Sequence, residues 1–323
     1  MFAWQAAKFG EPLDVLKLKD MDKPIPGPGE VVIKVRAVGL GLPDLMSVQG
    51  RYPFVTECPA IPGHSFSGTI DSTGPQSSFS PGMRVMARTM YKNQAGALAE
   101  YAVAREFDTF PTPDALDDEQ AAGFVVPYHT AYVGLVNRTK LAEGETLLVL
   151  GGAGASGSAA IELGKALGAR VVATARGDAK ADFCRALGAD HIIDPTRSHI
   201  GEALREMTDG YGADVIFDPV GGIPSDQAVQ GIAFKGRLAL IGISAGFPNL
   251  NPLDMIGRTY AVLGAALPNR SEAERSAAIA DLDALASHGA ISVPIQGRYA
   301  FEETPGLIAR LGGDMIGRHI VNL

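Results

Sequence analysis

Cysteine is nearly missing from this chain of 323 residues: only Cys58 and Cys184 occur. They lie far apart in sequence, with no CxxC spacing and no Cys/His cluster beside either. That excludes a disulfide framework and a structural zinc lobe, and leaves two isolated thiols. Long hydrophobic runs are missing too. No stretch approaches the roughly 20 apolar residues of a membrane-spanning helix. Residues 1–10 carry Lys8 but no apolar signal core and no cleavage site. A cytoplasmic protein without a membrane partner is therefore expected. Positive charge is in deficit: 28 Lys and Arg against 36 Asp and Glu give a net charge of -8. Such a surface repels phosphate backbones, which argues against a nucleic-acid partner. Any anionic ligand must be held locally.

What is present is an ordinary globular composition, 46% hydrophobic and 20% charged, in a chain long enough for two domains. The 39 Gly and 21 Pro are scattered between apolar runs as turn signals. The first third reads as short strands (30–38, 67–72, 84–90, 98–104) separated by clusters such as Pro24-Ile25-Pro26-Gly27-Pro28-Gly29 and Pro81-Gly82, the texture of a small antiparallel barrel. The texture changes near Asp117 to Gln120. From there, strands at 146–150, 170–175, 191–193, 214–217, 237–243 and 260–266 alternate with helical patterns. Their spacing of about 21 to 24 residues is the step of a βα unit, and six of them fit a doubly wound parallel sheet. Ser271-Glu272-Ala273-Glu274 forms a capping box opening a helix to about His288, and the tail (291–299, 318–323) turns β-like again. The expected organisation is α/β: a β-barrel domain over 1–121, an inserted doubly wound Rossmann domain over 122–266, and a return to the first domain over 267–323.

The strand at 146–150 runs into Gly151-Gly152-Ala153-Gly154-Ala155-Ser156-Gly157, so Gly152, Gly154 and Gly157 make a GxGxxG between a strand and an amphipathic helix. Gly152 permits the tight turn, Gly154 lets backbone approach a pyrophosphate, and Gly157 lets the helix pack on the strand. The amides of Ala155, Ser156 and their neighbours then face the phosphates from a helix N-terminus. An NAD site places an acid at the end of the second strand. Here that strand ends Ala173-Thr174-Ala175-Arg176, with Lys180 one turn further. The missing acid and two nearby bases favour the 2′-phosphate of NADPH.

The chain also resembles the medium-chain dehydrogenase/reductase superfamily in its quinone-oxidoreductase (zeta-crystallin-like) branch. The likeness runs nearly end to end, through Gly10-Glu11-Pro12, Pro26-Gly27-Pro28-Gly29-Glu30-Val31, Gly50-Arg51-Tyr52-Pro53, Pro62-Gly63-His64 with Gly68, Pro81-Gly82-Met83-Arg84-Val85, Thr130-Ala131-Tyr132, Leu187-Gly188-Ala189-Asp190 and Asp218-Pro219-Val220-Gly221-Gly222. The resemblance implies a GroES-like barrel catalytic domain, an inserted Rossmann domain, a cleft between them, and a homodimer joined near the strand at 260–266. It implies that Thr130 contacts the nicotinamide amide and that Asp218, Val220, Gly221, Gly242, Ile243 and Ser244 line the cofactor. Zinc relatives in the superfamily carry a metal-binding Cys where Gly41 stands, a Glu where Ser65 stands and a second Cys near Val126. Only His64 is retained, and a catalytic zinc needs three protein ligands. No metal is expected.

These readings point to hydride transfer from NADPH to a small electrophilic acceptor, a quinone or an α,β-unsaturated carbonyl. A hydrogen-bond donor is needed where negative charge develops. The candidates are Tyr52, Tyr128 and His129, with Tyr128 preferred because it precedes Thr130; Asp44 would orient a neighbour or cap a helix. The branch usually carries Asn at Gly41 and often Tyr at Met46, so two alternatives stay open. One is an enoyl-thioester (acyl-CoA) reductase, whose basic channel would need Arg51, Arg88, Lys92, Arg258 and Arg270 to converge. The other is a non-catalytic NADPH-binding sensor or structural protein.

Overall fold

A computed structural model describes residues 1–89, 96–267 and 271–323. Met90 and Lys92 of the expected strand and basic channel, and Arg270, lie outside the described residues. The chain divides into two compact units, Met1–Val126 with Val293–Leu323, and Pro127–Ser292.

The first unit is built around one long strand, Glu30–Leu40, whose inward residues Val31, Ile33, Val35, Val38 and Leu40 are buried. It pairs antiparallel with Ser65–Thr73 on one side. On the other side it pairs with Tyr101–Arg105 and, further along, with Arg318–Asn322. Register shifts at Val32/Ile33 and Val35/Ala37 mark bulges, which bend a strand and let a sheet curl. Arg84–Arg88 and Thr109–Pro111 extend the sheet beyond Ser65–Thr73, and Ile295–Ala300 lies parallel to Arg318–Asn322 at the opposite end. Phe66, Ile70, Val85, Leu98, Leu307 and Ile308 complete the core. The returning C-terminal segment is thus an integral strand of the barrel. The sequence did not betray the antiparallel pair Phe2–Ala6 and Leu16–Asp20, because the second strand is mostly exposed and rich in lysine.

The second unit is a six-stranded, all-parallel sheet. Its strands are Thr146–Val149, Arg170–Thr174, His191–Ile193, Ala213–Asp218, Ile232–Leu240 and Ala261–Gly264. Numbered within this sheet they lie in the order 3-2-1-4-5-6, the doubly wound arrangement whose ligands bind at the carboxyl ends of the strands. Leu148, Val172, Ile193, Ile216 and Leu238 form its core.

Two expected boundaries move. The transition near Asp117 opens the helix Asp118–Tyr132, and the units divide inside it, after Val126. The helix Glu272–Ser287 belongs to the second unit, not to the returning segment: the Tyr132 hydroxyl donates to Asp281 on it. Its capping box is present, with the Glu274 amide donating to Ser271 Oγ at 3.2 Å. Among the described residues no helix is long and apolar enough to cross a membrane.

Candidate active site

The phosphate loop follows directly from its glycines. Gly151 has φ +61°, a backbone state open to glycine at no steric cost. Its amide donates to Thr174 Oγ1 at 2.8 Å, and the Gly152 amide to the Thr174 carbonyl at 2.9 Å. A Cβ on Gly152 would lie 2.9 Å from Ala173 Cβ and 3.0 Å from Cys184 Sγ; one on Gly157 would lie 2.2 Å from the Gly151 carbonyl oxygen. At Gly154 the nearest atom would be 3.3 Å away. That atom is the Gly151 carbonyl oxygen, closer than most Cβ contacts, so even at this exposed position a side chain would crowd the loop, and glycine also leaves the backbone open to a ligand. Gly154 N-caps the helix Ala155–Ala166 without a side-chain cap, so the first-turn amides, including those of Ala155 and Ser156, have no intrahelical acceptor.

At the end of the second strand Ala175 is buried, Arg176 exposed and Lys180 half-buried. Asp178, two residues after Arg176, is exposed, and Asp194, just past the third strand, lies beside this turn and is already committed. Its carboxylate accepts from Thr196 Oγ1 (2.7 Å), from the Thr196 amide (2.9 Å) and from the Gly177 amide (3.1 Å), and these bonds hold its pKa below the usual carboxylate range. It therefore serves the turn that presents Arg176.

Two further loops leave the adjacent strand ends. Asp218 is buried, and its Oδ1 accepts from the amides of Val220 and Gly221, both at 2.8 Å. Burial pushes its carboxyl up against those bonds. Asp218 thus folds the turn, while Val220 and Gly221 form it. The Gly242 amide donates to the Asp218 carbonyl at 3.1 Å and the Ala245 amide to Val220 at 2.8 Å. A Cβ on Gly221 (φ +70°) would lie 2.4 Å from the Gly246 carbonyl oxygen, and one on Gly242 would lie 2.6 Å from that of Pro219. The loops therefore meet backbone to backbone, with Ile243 half-buried and Ser244 exposed. Thr130 is half-buried in the same unit.

The expected proton donors fall differently. Tyr128 is 2% exposed and gives its hydroxyl to Glu162, so it is a structural donor within the second unit, and His129 is buried beside it. Asp44 is buried as the N3 residue of the helix Leu42–Val48, accepting from the Gly41 amide at 2.8 Å and the Gly63 amide at 2.9 Å; it is a cap. Tyr52 remains, half-buried, its ring edge-on to Phe54 at 5.4 Å. Burial, then the Asp44 carboxylate, push its phenol up to about 12 against the opposing pull of Arg88. It stays protonated, and able to donate, throughout the neutral range. His64 is pushed down to about 3 by burial first and then by Arg88, so it is neutral.

The retained His64 stands among cations. Arg318 is buried and donates to the carbonyls of Leu40 at 3.1 Å and Ala122 at 3.4 Å. A Cβ on Gly41 would lie 3.5 Å from its Nη1. Ser65 donates to the Ala122 carbonyl at 2.6 Å. Arg88 is buried against Asp108 at 2.5 Å, and Asp108 also accepts from Arg105 at 2.7 Å. Among the described residues no group of three His, Cys, Asp or Glu side chains could hold a metal ion. Of the five basic residues weighed for a thioester channel, the three that are described have partners: Arg88 with Asp108, Arg51 with Gln49 at 3.3 Å, and Arg258 with the carbonyls of Val229 and Gln230 in the second unit.

Comparison with known proteins places the chain in a family. Residues 27–114 match the alcohol dehydrogenase GroES-like domain, and residues 155–283 match the model described as zinc-binding dehydrogenase. The quinone oxidoreductase of Pseudomonas aeruginosa is 31% identical over 307 residues, 93% of this chain and 92% of that protein. The chain belongs to the quinone oxidoreductase-like branch of the medium-chain dehydrogenase/reductase superfamily. The quinone oxidoreductase-like protein 2 homolog of Nematostella vectensis is 34% identical over 222 residues, 68% of this chain but 60% of that longer protein. A mycobacterial protein solved in complex with NADPH superposes with a TM-score of 0.90 at 28% identity, covering 100% of both chains. As a medium-chain reductase the chain is a nicotinamide-dependent oxidoreductase.

Sequence reasoning missed Thr174, Asp194, Arg318 and Glu162. Thr174 leaves a trace, a polar residue ending a buried run, and so does Glu162, a lone charge on the inner face of a helix. Arg318 leaves none, because its partners lie some two hundred residues or more away in sequence.

Proposed function

We propose that the chain is a zinc-independent, NADPH-dependent reductase that passes hydride to a quinone or an α,β-unsaturated carbonyl. The observation that carries this reading is that the guanidinium of Arg318 lies against Gly41 and beside Ser65, the positions where zinc relatives carry metal ligands, while the dinucleotide cradle is intact. A fixed cation disfavours a divalent metal beside it. The glycines fit the cofactor, since Gly152, Gly157, Gly221 and Gly242 leave no room for side chains. Ala155, Ser156 and Gly157 hold the pyrophosphate through their amides, and Arg176 and Lys180 hold the 2′-phosphate, at a strand end where Ala175 stands in place of an acid. Val220, Gly221, Gly242, Ile243 and Ser244 line the cofactor, and Thr130 holds the carboxamide. The bound cofactor supplies the hydride, and the protein supplies placement.

Tyr52 donates a hydrogen bond to the acceptor oxygen as negative charge builds there. A homodimer is supported by the unpaired outer edge of Ala261–Gly264 and by exposed Phe247, Leu253 and Ile256 in the same unit. Both cysteines are free, in keeping with a reducing cytoplasm.

The test follows NADPH absorbance with a chelator present, offering benzoquinone, a short enone and an acyl-CoA enone in parallel. Turnover of benzoquinone or the free enone that survives chelation is expected. Turnover that chelation abolishes and zinc restores overturns the metal-free reading, and turnover of the acyl-CoA alone overturns the acceptor.

A further inference from the structure

We propose that Glu162 is a positioning residue that sets the nicotinamide end of the cofactor seat relative to its phosphate end; this rests on the cofactor reading above. Glu162 lies on the helix Ala155–Ala166, about 12 Å along its axis from the N-cap Gly154. Its neighbours Ala159, Ala160, Ile161 and Leu163 are fully buried, and Glu162 itself is only 7% exposed. A carboxylate in such a place is costly unless its lone pairs are used. They are divided between the two ends of the second unit. Oε2 accepts the hydroxyl of Tyr128, and Oε1 accepts the amide of Ser292 at 3.0 Å and its hydroxyl at 2.6 Å. The unit begins at Pro127 and ends at Ser292. One side chain on the phosphate-binding helix therefore grips the first and last turns of the unit.

The first of those turns carries Thr130. Pro127 lies inside its helix, and six residues of π-helix, Val133–Arg138, follow. Proline has no N–H to give to the preceding turn, so backbone hydrogen bonding is interrupted just before Thr130. The Tyr128–Glu162 bond supplies a tether there, and it runs to the helix that holds the pyrophosphate. A hydrophobic residue at 162 would fill the space without fixing either partner. A carboxylate, with two oxygens at fixed separation, fixes both.

The test compares two ligands by titration calorimetry: NADPH, and adenosine 2′,5′-bisphosphate, which lacks the nicotinamide half. Glu162→Gln and Tyr128→Phe are measured beside the wild type, with melting temperature recorded for each. Both variants are expected to bind the bisphosphate within about twofold of the wild type while NADPH affinity falls about five- to tenfold. Thr130→Val is expected to lower NADPH affinity in the wild-type background and to add less in the Glu162→Gln background. Equal losses for both ligands in the variants, or no loss for either, overturn the proposal and leave the cofactor reading standing. A wild type that binds neither ligand overturns both. Should Glu162→Gln fail to fold, Tyr128→Phe, which removes a single bond, decides alone.

Discussion

The two units make their sites from different materials. In the second unit the proposed cofactor seat is largely backbone: the phosphate loop bonds to Thr174 and the loops at 218–221 and 242–246 bond to each other, because glycines at 151, 152, 157, 221 and 242 leave no room for side chains. In the first unit the cluster around His64 is side chain: Arg88, Asp108, Arg318 and Asp44 are buried charges fixed by one another, by the more exposed Arg105 or by main-chain groups. A backbone site is intolerant of added atoms. A site of buried charges tolerates shape changes and fails when a charge is lost.

The sharpest way to break this contrast is Gly157→Ala. Its Cβ would stand 2.2 Å from the Gly151 carbonyl oxygen, so the loop must open. NADPH affinity should fall by more than about 100-fold by calorimetry. A variant that binds as tightly as the wild type would show that the helix can shift without cost. The matching change in the first unit is Arg88→Met, which keeps bulk and removes charge. Asp108 is fully buried and would retain only Arg105, which is half-exposed. A loss of about 3 kcal/mol is expected. The chain has one tryptophan, Trp4, in the first unit, its indole donating to the Phe301 carbonyl at 2.8 Å. Urea unfolding followed by its fluorescence therefore reads this unit, and an unchanged midpoint would count against the buried-charge account. Tyr52→Phe should cost less, about tenfold in kcat with NADPH KM unchanged. Because the phenol is held up to about 12, no loss of rate from Tyr52 ionisation should appear below about pH 10. A KM effect without a kcat effect would make Tyr52 a wall of the pocket.

The same division of materials explains what the sequence revealed. Backbone sites are written locally: strand, GxGxxG and helix are contiguous, and all six strands of the second unit are visible as apolar runs. Strand ends were overread only where apolar residues continue into a loop, as at Ile241–Ile243 beyond Ile232–Leu240. Side-chain sites are assembled from distant segments. Gly41 meets Arg318, and Arg88 meets Asp108, through pairings of strands that no local pattern encodes. Tyr128 and His129 were placed near Thr130 correctly in sequence, but the side on which each points depends on Glu162 and on the buried interior of the unit.

The smallest effect, and the subtlest comparison, is the response to acid. His64 and His319, both in the first unit, are held neutral by burial, with nearby arginines adding to the effect. His64 is pushed from 6.5 down to about 3. A histidine whose folded pKa is depressed binds its proton only on unfolding. Its contribution to stability is complete above about pH 6.5 and is lost as pH falls towards 3. His64→Asn removes the titration while keeping a polar side chain. Between pH 7.5 and 5 the Trp4 unfolding midpoint should therefore fall more in the wild type than in the variant. Equal slopes would mean that His64 takes up its proton as readily in the folded chain as in the unfolded one. Arg88 and Arg318 would then be doing less to the local potential than their placement implies, and the case for Arg318 as a deterrent to a metal would weaken with it.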